Sequence, residues 1–403
     1  MRIAVFGGSF DPVHVEHVEV ARAAIQSLRL DKIVIMPAAA PPHKRGKTLS
    51  PDVHRLEMCR IAFDKVKEAE VSDYEIKQGG VSYTYLTCRH FRETYKDAEI
   101  FWLVGTDMLR DFPTWKNPER ILNDVTLAVC ARAETGKWQA KECVAFEERF
   151  SKKFALVEYN GKDVSSTQIR VLAGAGMRLF PLTDEKTETY IYQHGLYKID
   201  KAREMLLLEK ESRRAHSIRV ALTAAKRAKG LGVPEEKAIA AALIHDCAKN
   251  LEKDSFLLKG FSMPTLHGKV PQAVAHQYEG AYVAEHAFGV QDQDILNAVR
   301  YHTSGRPQMS ALEKLIFLAD MVEEERHYSG VEKIRALFYQ TPSKTVAKEE
   351  SLDECLEEAL FQTIAYLKEK QAPVYVLTEL ALRYYQTYNQ LKKENEYDEN
   401  SSK

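Results

Sequence analysis

The sequence predicts two folded units in tandem: an α/β domain with a doubly wound parallel sheet over residues 1–198, then an all-α helical bundle over 199–391, with a polar, frayed tail at 392–403. Three observations carry this. Short β-forming runs at 3–7, 33–36, 71–74, 99–104, 125–131 and 154–158 alternate with helical patterns, which argues a parallel sheet covered on both faces. From about residue 200 apolar residues recur at three and four, over 203–229, 235–247, 270–288, 310–324 and 352–369. A length of 403 residues also exceeds one typical domain.

The first run, Ile3 to Phe6, breaks at Gly7-Gly8-Ser9-Phe10, and an amphipathic helix is expected from about Val15 to Leu28. Glycines at such a turn let backbone N–H groups approach an anion, and the helix dipole points its positive end there. His14 and His17, three apart, would share a face of the first helical turn. This combination suits a nucleoside triphosphate. An ordinary strand–helix turn with two surface histidines is the plain alternative. After the run at 33–36, Pro41-Pro42 would hold His43 and Lys44 over the site as anion donors, and Arg55, opening the helix at 53–65, adds charge. Tyr83-Thr84 begin the helix at 82–97, where free N–H groups can bind a carboxylate. After the run at 99–104 come Gly105-Thr106-Asp107 and Pro113-Thr114-Trp115. Ser165, Ser166 and Thr167 would cap a further helix with hydroxyls and N–H groups free for anions, and Arg170 adds a cation.

The stretch GGSFDPVHVEH resembles the (H/T)xGH motif of the nucleotidyltransferase superfamily, and its GG-[ST]-FDP-x-H form is similar to that of the nicotinate-nucleotide adenylyltransferases. That family usually has Gly between the histidines, where this chain has Glu16; a carboxylate there would repel a polyphosphate unless its side chain points away. The resemblance continues in order through Pro41-Pro42-His43-Lys44, Tyr83-Thr84, Asp107, Trp115 and the ISSTxIR-like segment Val164–Arg170. Residues 190–197 match the family's terminal helix and final strand. The resemblance implies a Rossmann-like fold and attack by the phosphate of nicotinate mononucleotide on the α-phosphorus of ATP, which carries Mg²⁺. Pyrophosphate leaves and deamido-NAD forms. On this reading His14, His17 and Lys44 are catalytic. Gly7, Gly8, Ser9, Phe10, His43, Arg55, Gly105, Ser165, Ser166, Thr167 and Arg170 bind ATP or substrate. Tyr83 and Thr84 read the nicotinate carboxylate, Asp107 a ribose, and Trp115 stacks on the pyridine ring; a buried structural Trp is the alternative. A transferase decayed to a nucleotide-binding module through Glu16, or one using another acceptor such as phosphopantetheine, are the competing readings.

In the helical half, His216, His245-Asp246, His276, His302 and Asp320 each fall within or at the end of an apolar helical pattern, where an unpaired polar group is costly. Such residues can converge in a bundle core, where helical proteins build metal sites. Imidazole and carboxylate without thiolate suit iron, manganese or zinc rather than calcium, with iron or manganese favoured. The order H…HD…H…H…D resembles the two-metal HD-domain phosphohydrolases. The flanking His245-Asp246-Cys247-Ala248-Lys249, Tyr301–Arg306 and Ala319–Glu323 are similar to the bacterial HD hydrolases that cleave diadenosine tetraphosphate symmetrically to two ADP. By that resemblance Asp246 bridges two transition metals, His216, His245 and Asp320 hold one, and His276 and His302 the other. Lys249 and Arg306 are candidate phosphate clamps, against the alternatives of a surface lysine and a helix-end arginine. His267 and His286 match no motif and read as structural. Another substrate, a guanosine alarmone or a mononucleotide, is the alternative for this half.

Fifty-seven Lys and Arg against 58 Asp and Glu leave a formal charge of −1, which argues against non-specific binding to nucleic acid or anionic membranes. The six cysteines (59, 88, 130, 143, 247, 355) form no CxxC pair and read as reduced thiols. No apolar run reaches the ~18 residues of a membrane span, and the chain opens on a strand rather than a signal peptide. The expectation is a soluble cytoplasmic enzyme; a homo-oligomer is compatible with it.

Overall fold

The computed structural model describes residues 1–39, 49–132, 139–340 and 352–401. The chain divides into two compact units, residues 1–170 with 178–196, and residues 171–177 with 197–403.

In the first unit β1 (Arg2–Gly8), β2 (Lys32–Pro37), β3 (Ala69–Val71), β4 (Glu99–Gly105), β5 (Thr126–Arg132) and β6 (Ala155–Tyr159) form one sheet in the order β3-β2-β1-β4-β5-β6, every pair parallel. Strands buried on both faces read as near-continuous apolar runs, and the central strand sets Val5 against Val34 on one side and Trp102 on the other. The order runs outward in opposite directions from β1 and β4. Ligand crevices of doubly wound sheets open at the carboxyl ends of such a pair. The helices are α1 (Val15–Leu28), α2 (Asp52–Phe63), α3 (Tyr74–Gln78), α4 (Thr84–Thr94), α5 (Thr106–Asp111), α6 (Pro118–Asp124), α7 (Gln139–Phe150), α8 (Ser166–Gly174) and α9 (Glu185–Gln193). Helix α1 buries Val20, Ala21, Ala24 and Leu28 at helical spacing and ends on Arg29 in the left-handed region.

Two expectations need correcting here. β3 ends at Val71, earlier than the run at 71–74 predicts, because Tyr74 already starts α3. No final strand forms after α9 among the described residues; Gly195 and Tyr197 take φ of 59° and 60° and turn the chain instead.

The second unit is helical: α10 (Ala202–Leu206), α11 (Glu211–Leu231), α12 (Glu235–Ile244), α13 (Gln272–His286), α14 (Gln293–Tyr301), α15 (Ala311–Val322), α16 (Val331–Tyr339), α17 (Asp353–Glu369) and α18 (Val376–Ser401). The pattern at 203–229 is broken into α10 and α11. Helix α18 runs on through the segment whose polarity predicts fraying. Buried Ala221, Ala224, Ala225 and Ala228 on α11 and Ala238, Ala241 and Ala242 on α12 are small enough for close helix approach. The core around them adds Val220, Leu243, Leu315, Phe317, Leu356 and Leu360. Among the described residues no helix is long and apolar enough to cross a membrane.

Candidate active sites

At the carboxyl end of β1, Gly7 and Gly8 close the strand itself. Their missing side chains make room for rings: a Cβ at Gly7 would stand 3.0 Å from Trp102, and one at Gly8 3.0 Å from Phe10. The positive φ of this turn belongs to Phe10, at 45°, whose buried ring lies 4.9 Å from that of His17. His14 caps α1, its backbone N–H donates to His17 Nδ1 at 3.1 Å, and the two imidazoles are 3.7 Å apart. Accepting that bond leaves the proton of neutral His17 on Nε2, as a donor. Burial, aided by Arg132, pushes the pKa of His14 down to about 4, so its ring is neutral near pH 7.

The sheet gathers several expected residues around this turn. Ser166 Oγ donates to the Pro12 carbonyl at 2.8 Å, Ser165 Oγ caps Gln168 N–H at 3.2 Å, and Arg170 donates to the Asp11 carbonyl and, at 2.9 Å, to Thr167 Oγ1. Arg55 departs from expectation. It is fully buried and donates to the carbonyls of Ser9 (2.9 Å) and Ser50 (3.1 Å) and to Asp52, so it braces the turn rather than offering a free cation. Glu16 is buried facing the segment after β6, where Lys162 N–H donates to its Oε1 at 2.7 Å.

Tyr83 caps α4, and Ser82 Oγ accepts from Ala39 N–H at 3.0 Å, which ties that helix start to the end of β2. Lys116 lies over the Tyr83 ring at 4.2 Å, a cation that the sequence reading passes over although it follows Trp115 directly. Gly105 caps α5, with exposed Asp107 in its first turn. Trp115 is buried in the aromatic cluster with Phe112, ring centroids 5.3 Å apart, which fits its structural alternative. His43 and Lys44 lie outside the described residues.

In the helical unit, the six expected His and Asp residues converge. His216 comes from α11, His245 and Asp246 from the end of α12, His276 from α13, His302 from the end of α14 and Asp320 from α15. Asp246 Oδ1 is 3.2 Å from His276 Nε2 and 3.3 Å from His302 Nε2; its Oδ2 is 3.7 Å from His245 Nε2. His216 Nε2 lies 2.8 Å from Asp320 Oδ1. Three trios have ligand atoms within 4.8 Å of one another: His216, His245 and Asp246; His245, His302 and Asp320; Asp246, His276 and His302.

The donor chemistry fits divalent metal. Nδ1 of His245 and of His302 face the carbonyls of Ala242 and Val299 at 2.6 and 2.7 Å, which puts the proton there and leaves Nε2 as a lone pair toward the cluster. His245 Nε2 and Asp246 Oδ1 are buried and have no hydrogen-bond partner, a costly state unless an ion takes them. Burial lowers the pKa of His245 and His276 to about 4, and neutral imidazole is the ligating form. At His216 burial is outweighed by hydrogen bonds to Asp320 and Glu323, and its pKa is raised.

Several partners of this cluster are not among the expected residues. Arg213 is 3.0 Å from Asp246 Oδ2, Arg326 pairs with Asp320, Glu323 Oε1 is 3.1 Å from His216 Nδ1, and Thr303 Oγ1 is 3.1 Å from His276 Nε2. Arg213 and Glu323 each stand three residues from a ligand, the one signal the sequence offers for them. Lys249 Nζ is 2.9 Å from His276 Nε2, and burial lowers its pKa. Arg306 does not serve as a free clamp. Its fork is bidentate on buried Glu313, at 2.7 and 2.6 Å, because Glu313 sits in the first turn of α15 facing it. His286 is exposed, outside the cluster.

Residues 5–172 match the cytidylyltransferase-like family model, and residues 213–325 the HD domain model. A protein of Clostridium tetani named probable nicotinate-nucleotide adenylyltransferase is 36% identical over 199 residues, 48% of this chain and 98% of that protein. A Mycoplasma pneumoniae protein named probable nicotinate-nucleotide adenylyltransferase/Ap4A hydrolase is 30% identical over 323 residues, 80% of this chain and 88% of that protein. Among solved structures, one titled as a predicted HD superfamily hydrolase involved in NAD metabolism, from Clostridium acetobutylicum, is 29% identical. It aligns with 47% of this chain and 96% of its own, with a TM-score of 0.39.

Proposed function

The chain belongs to the nicotinate-nucleotide adenylyltransferases that carry a carboxyl-terminal HD domain, and from this premise we propose a bifunctional enzyme: its amino half adenylylates nicotinate mononucleotide with ATP, and its HD half hydrolyses diadenosine tetraphosphate to two ADP.

For the transferase, the carrying observation is the His14–His17 pair capping α1 beside Gly7, Gly8 and Ser166. Transfer of an adenylyl group needs positioning and charge neutralisation more than covalent chemistry. The phosphate of nicotinate mononucleotide attacks the α-phosphorus of ATP, the bond to the β-phosphate oxygen breaks, and pyrophosphate leaves. His17 donates from Nε2 to the charge that develops, His14 stays neutral beside it, and Lys44 with His43 adds cationic cover. Ser165, Ser166 and Thr167 hold the triphosphate, Arg55 and Arg170 fix the turn that receives it, and Mg²⁺ accompanies ATP. Tyr83 and Thr84 take the nicotinate carboxylate and Asp107 a ribose, with Trp115 lining the ring pocket. Glu16 faces Lys162 rather than the glycines, which favours a working transferase over a decayed one.

For the hydrolase, the carrying observation is the orphaned pair His245 Nε2 and Asp246 Oδ1 inside the His/Asp cluster. An HD domain implies divalent metal. We assign His216, His245 and Asp320 to one transition-metal ion and His276 and His302 to another, with Asp246 between them and iron or manganese as the fitting ions. Such ions supply Lewis acidity at a phosphate and acidify water. Lys249 orients the phosphate chain, Arg326 steadies Asp320, Arg213 steadies Asp246, and Glu323 orients His216.

Product chromatography tests both halves. Pyrophosphate and deamido-NAD from ATP and nicotinate mononucleotide, but not adenylylated phosphopantetheine, support the first. Two ADP per diadenosine tetraphosphate support the second; GDP from a guanosine alarmone, or no ADP, rejects it.

A further inference from the structure

A cavity of about 310 Å³ lies between α11, the end of α15 and α16. Arg219, Thr223 and Lys226 face it from α11, at spacings of four and three that put them on one side of the helix. Arg335 and Tyr339 face it from α16, and Glu324 is its one lining carboxylate.

The three cations are differently engaged. Arg335 is saturated: Nε donates to the Val322 carbonyl at 3.1 Å, Nη2 to those of Glu323 (2.8 Å) and Arg326 (2.7 Å), and Nη1 pairs with Glu332 at 2.6 Å. Arg219 donates Nε to Glu323 Oε2 at 2.7 Å, and its Nη atoms carry no hydrogen bond among the described residues. Lys226 pairs with no carboxylate among the described residues. The free donors at this cavity are thus one guanidinium edge and one ammonium, two helical turns apart on α11, with Thr223 between them in the sequence. That set matches the oxygens of a phosphate chain, since Arg binds phosphate by its planar edge and Lys as a point charge. The volume is at the small end of ligand pockets, which run from roughly 300 to 1,000 Å³. It holds a diphosphate but no whole nucleotide. Glu324 is exposed, so solvent screens its repulsion.

We propose that this cavity binds a diphosphate group, free as pyrophosphate or borne on ADP, between the Lys226 ammonium and the Nη edge of Arg219. The site is separate from both catalytic clusters. Arg219 joins it to one of them, because the same guanidinium holds Glu323, which in turn holds His216. The proposal does not depend on which nucleotide the HD half hydrolyses.

Equilibrium dialysis of the full chain in EDTA, against labelled pyrophosphate and separately against labelled ADP, tests it by counting bound equivalents. Lys226→Glu, a surface change that leaves the core untouched, should bind one equivalent fewer than the wild type. Lys229→Glu, the next exposed lysine on α11, should bind as many as the wild type. A loss seen with pyrophosphate alone identifies the free diphosphate as the ligand; a loss with both shows that the nucleoside is tolerated at the mouth. Equal counts for Lys226→Glu and wild type with both probes overturn the proposal, as does the same loss in Lys229→Glu, which would mark diffuse attraction to a basic helix face.

Discussion

Glu16 Oε1 accepts a 2.7 Å hydrogen bond from the backbone amide of Lys162, so the carboxylate between the two histidines faces the segment after β6 and not the glycines of β1. Its other oxygen rests against Gly161, where a Cβ would collide with it. The bond ties the first turn of α1 to the stretch that leads into Ser165 and Ser166. Glu16→Gly removes this tie and places glycine in a helix. A hydrogen bond to a charged group is worth about 1.5–3 kcal/mol and helical glycine costs about 1 kcal/mol. Urea unfolding should show a loss of that order for Glu16→Gly, and pyrophosphate release should fall with it. Activity appearing only in the glycine variant would instead mean that Glu16 disables the transferase.

His14 gives the amino half an acid sensitivity of definite sign. Its folded pKa is about 4 against 6.5 for an unperturbed histidine, lowered chiefly by burial. The unfolded chain therefore binds more protons between these values. Stability is fully present above pH 6.5, falls as the pH drops toward 4, and changes no further below. The full effect is about 3 kcal/mol. His14→Gln should flatten this slope, so the difference in unfolding free energy between variant and wild type should move by about 2 kcal/mol between pH 7 and pH 4.5.

Metal removal should separate the two halves. Purified protein should carry two transition-metal equivalents by elemental analysis. After chelation, dialysis and return of Mg²⁺ alone, nicotinate mononucleotide adenylylation should recover and diadenosine tetraphosphate hydrolysis should not. Asp246→Asn, which weakens a carboxylate within 3.7 Å of His245, His276 and His302, should reproduce the second loss permanently. Recovery of hydrolysis with Mg²⁺ would exclude a requirement for transition metal.

Glu323 supports the same centre from behind. It orients His216 through Nδ1 and is itself held by Arg219. Loss of such an outer partner lowers metal affinity by about 10- to 100-fold. Glu323→Gln should show that weakening in a competitive metal titration, while saturating metal restores most of the hydrolysis.

The sequence was readable where function needs particular residue types at short range, and less so where the fold recruits ordinary ones. The strand positions followed from β-forming runs, and the six His and Asp residues stood out because imidazoles and carboxylates in apolar helices are costly. The placement of β1 between β2 and β4 is a long-range pairing with no local signature. Arg213 and Arg326 belong to no motif that the sequence singles out, and only tertiary packing aims these two at Asp246 and Asp320. The resemblance gives Trp115 its ring-stacking role; the aromatic cluster behind it, Phe112 against Trp115 and Phe146 against Phe112, is tertiary packing with no local signature.

Arg306 is the sharpest case of a residue whose type points one way and its surroundings another. An arginine at a helix end beside the fourth histidine suits a phosphate clamp, yet Nε and Nη2 are bidentate on Glu313 and Nη1 faces the Pro307 carbonyl. Glu313 is 1% exposed and closes the capping box of α15 with Ser310. Removing one partner of a buried pair leaves an uncompensated charge at about 3–5 kcal/mol, whereas losing a phosphate clamp would alter catalysis without unfolding the chain. Arg306→Met should therefore lower the unfolding free energy of the helical half by that amount. A second change at Glu313, to Gln, should restore part of it, because the stranded carboxylate is then gone. In the double variant, kcat for hydrolysis at a temperature where it is folded should remain close to wild type. A folded, stable Arg306→Met that has lost hydrolysis would return this arginine to the phosphate site.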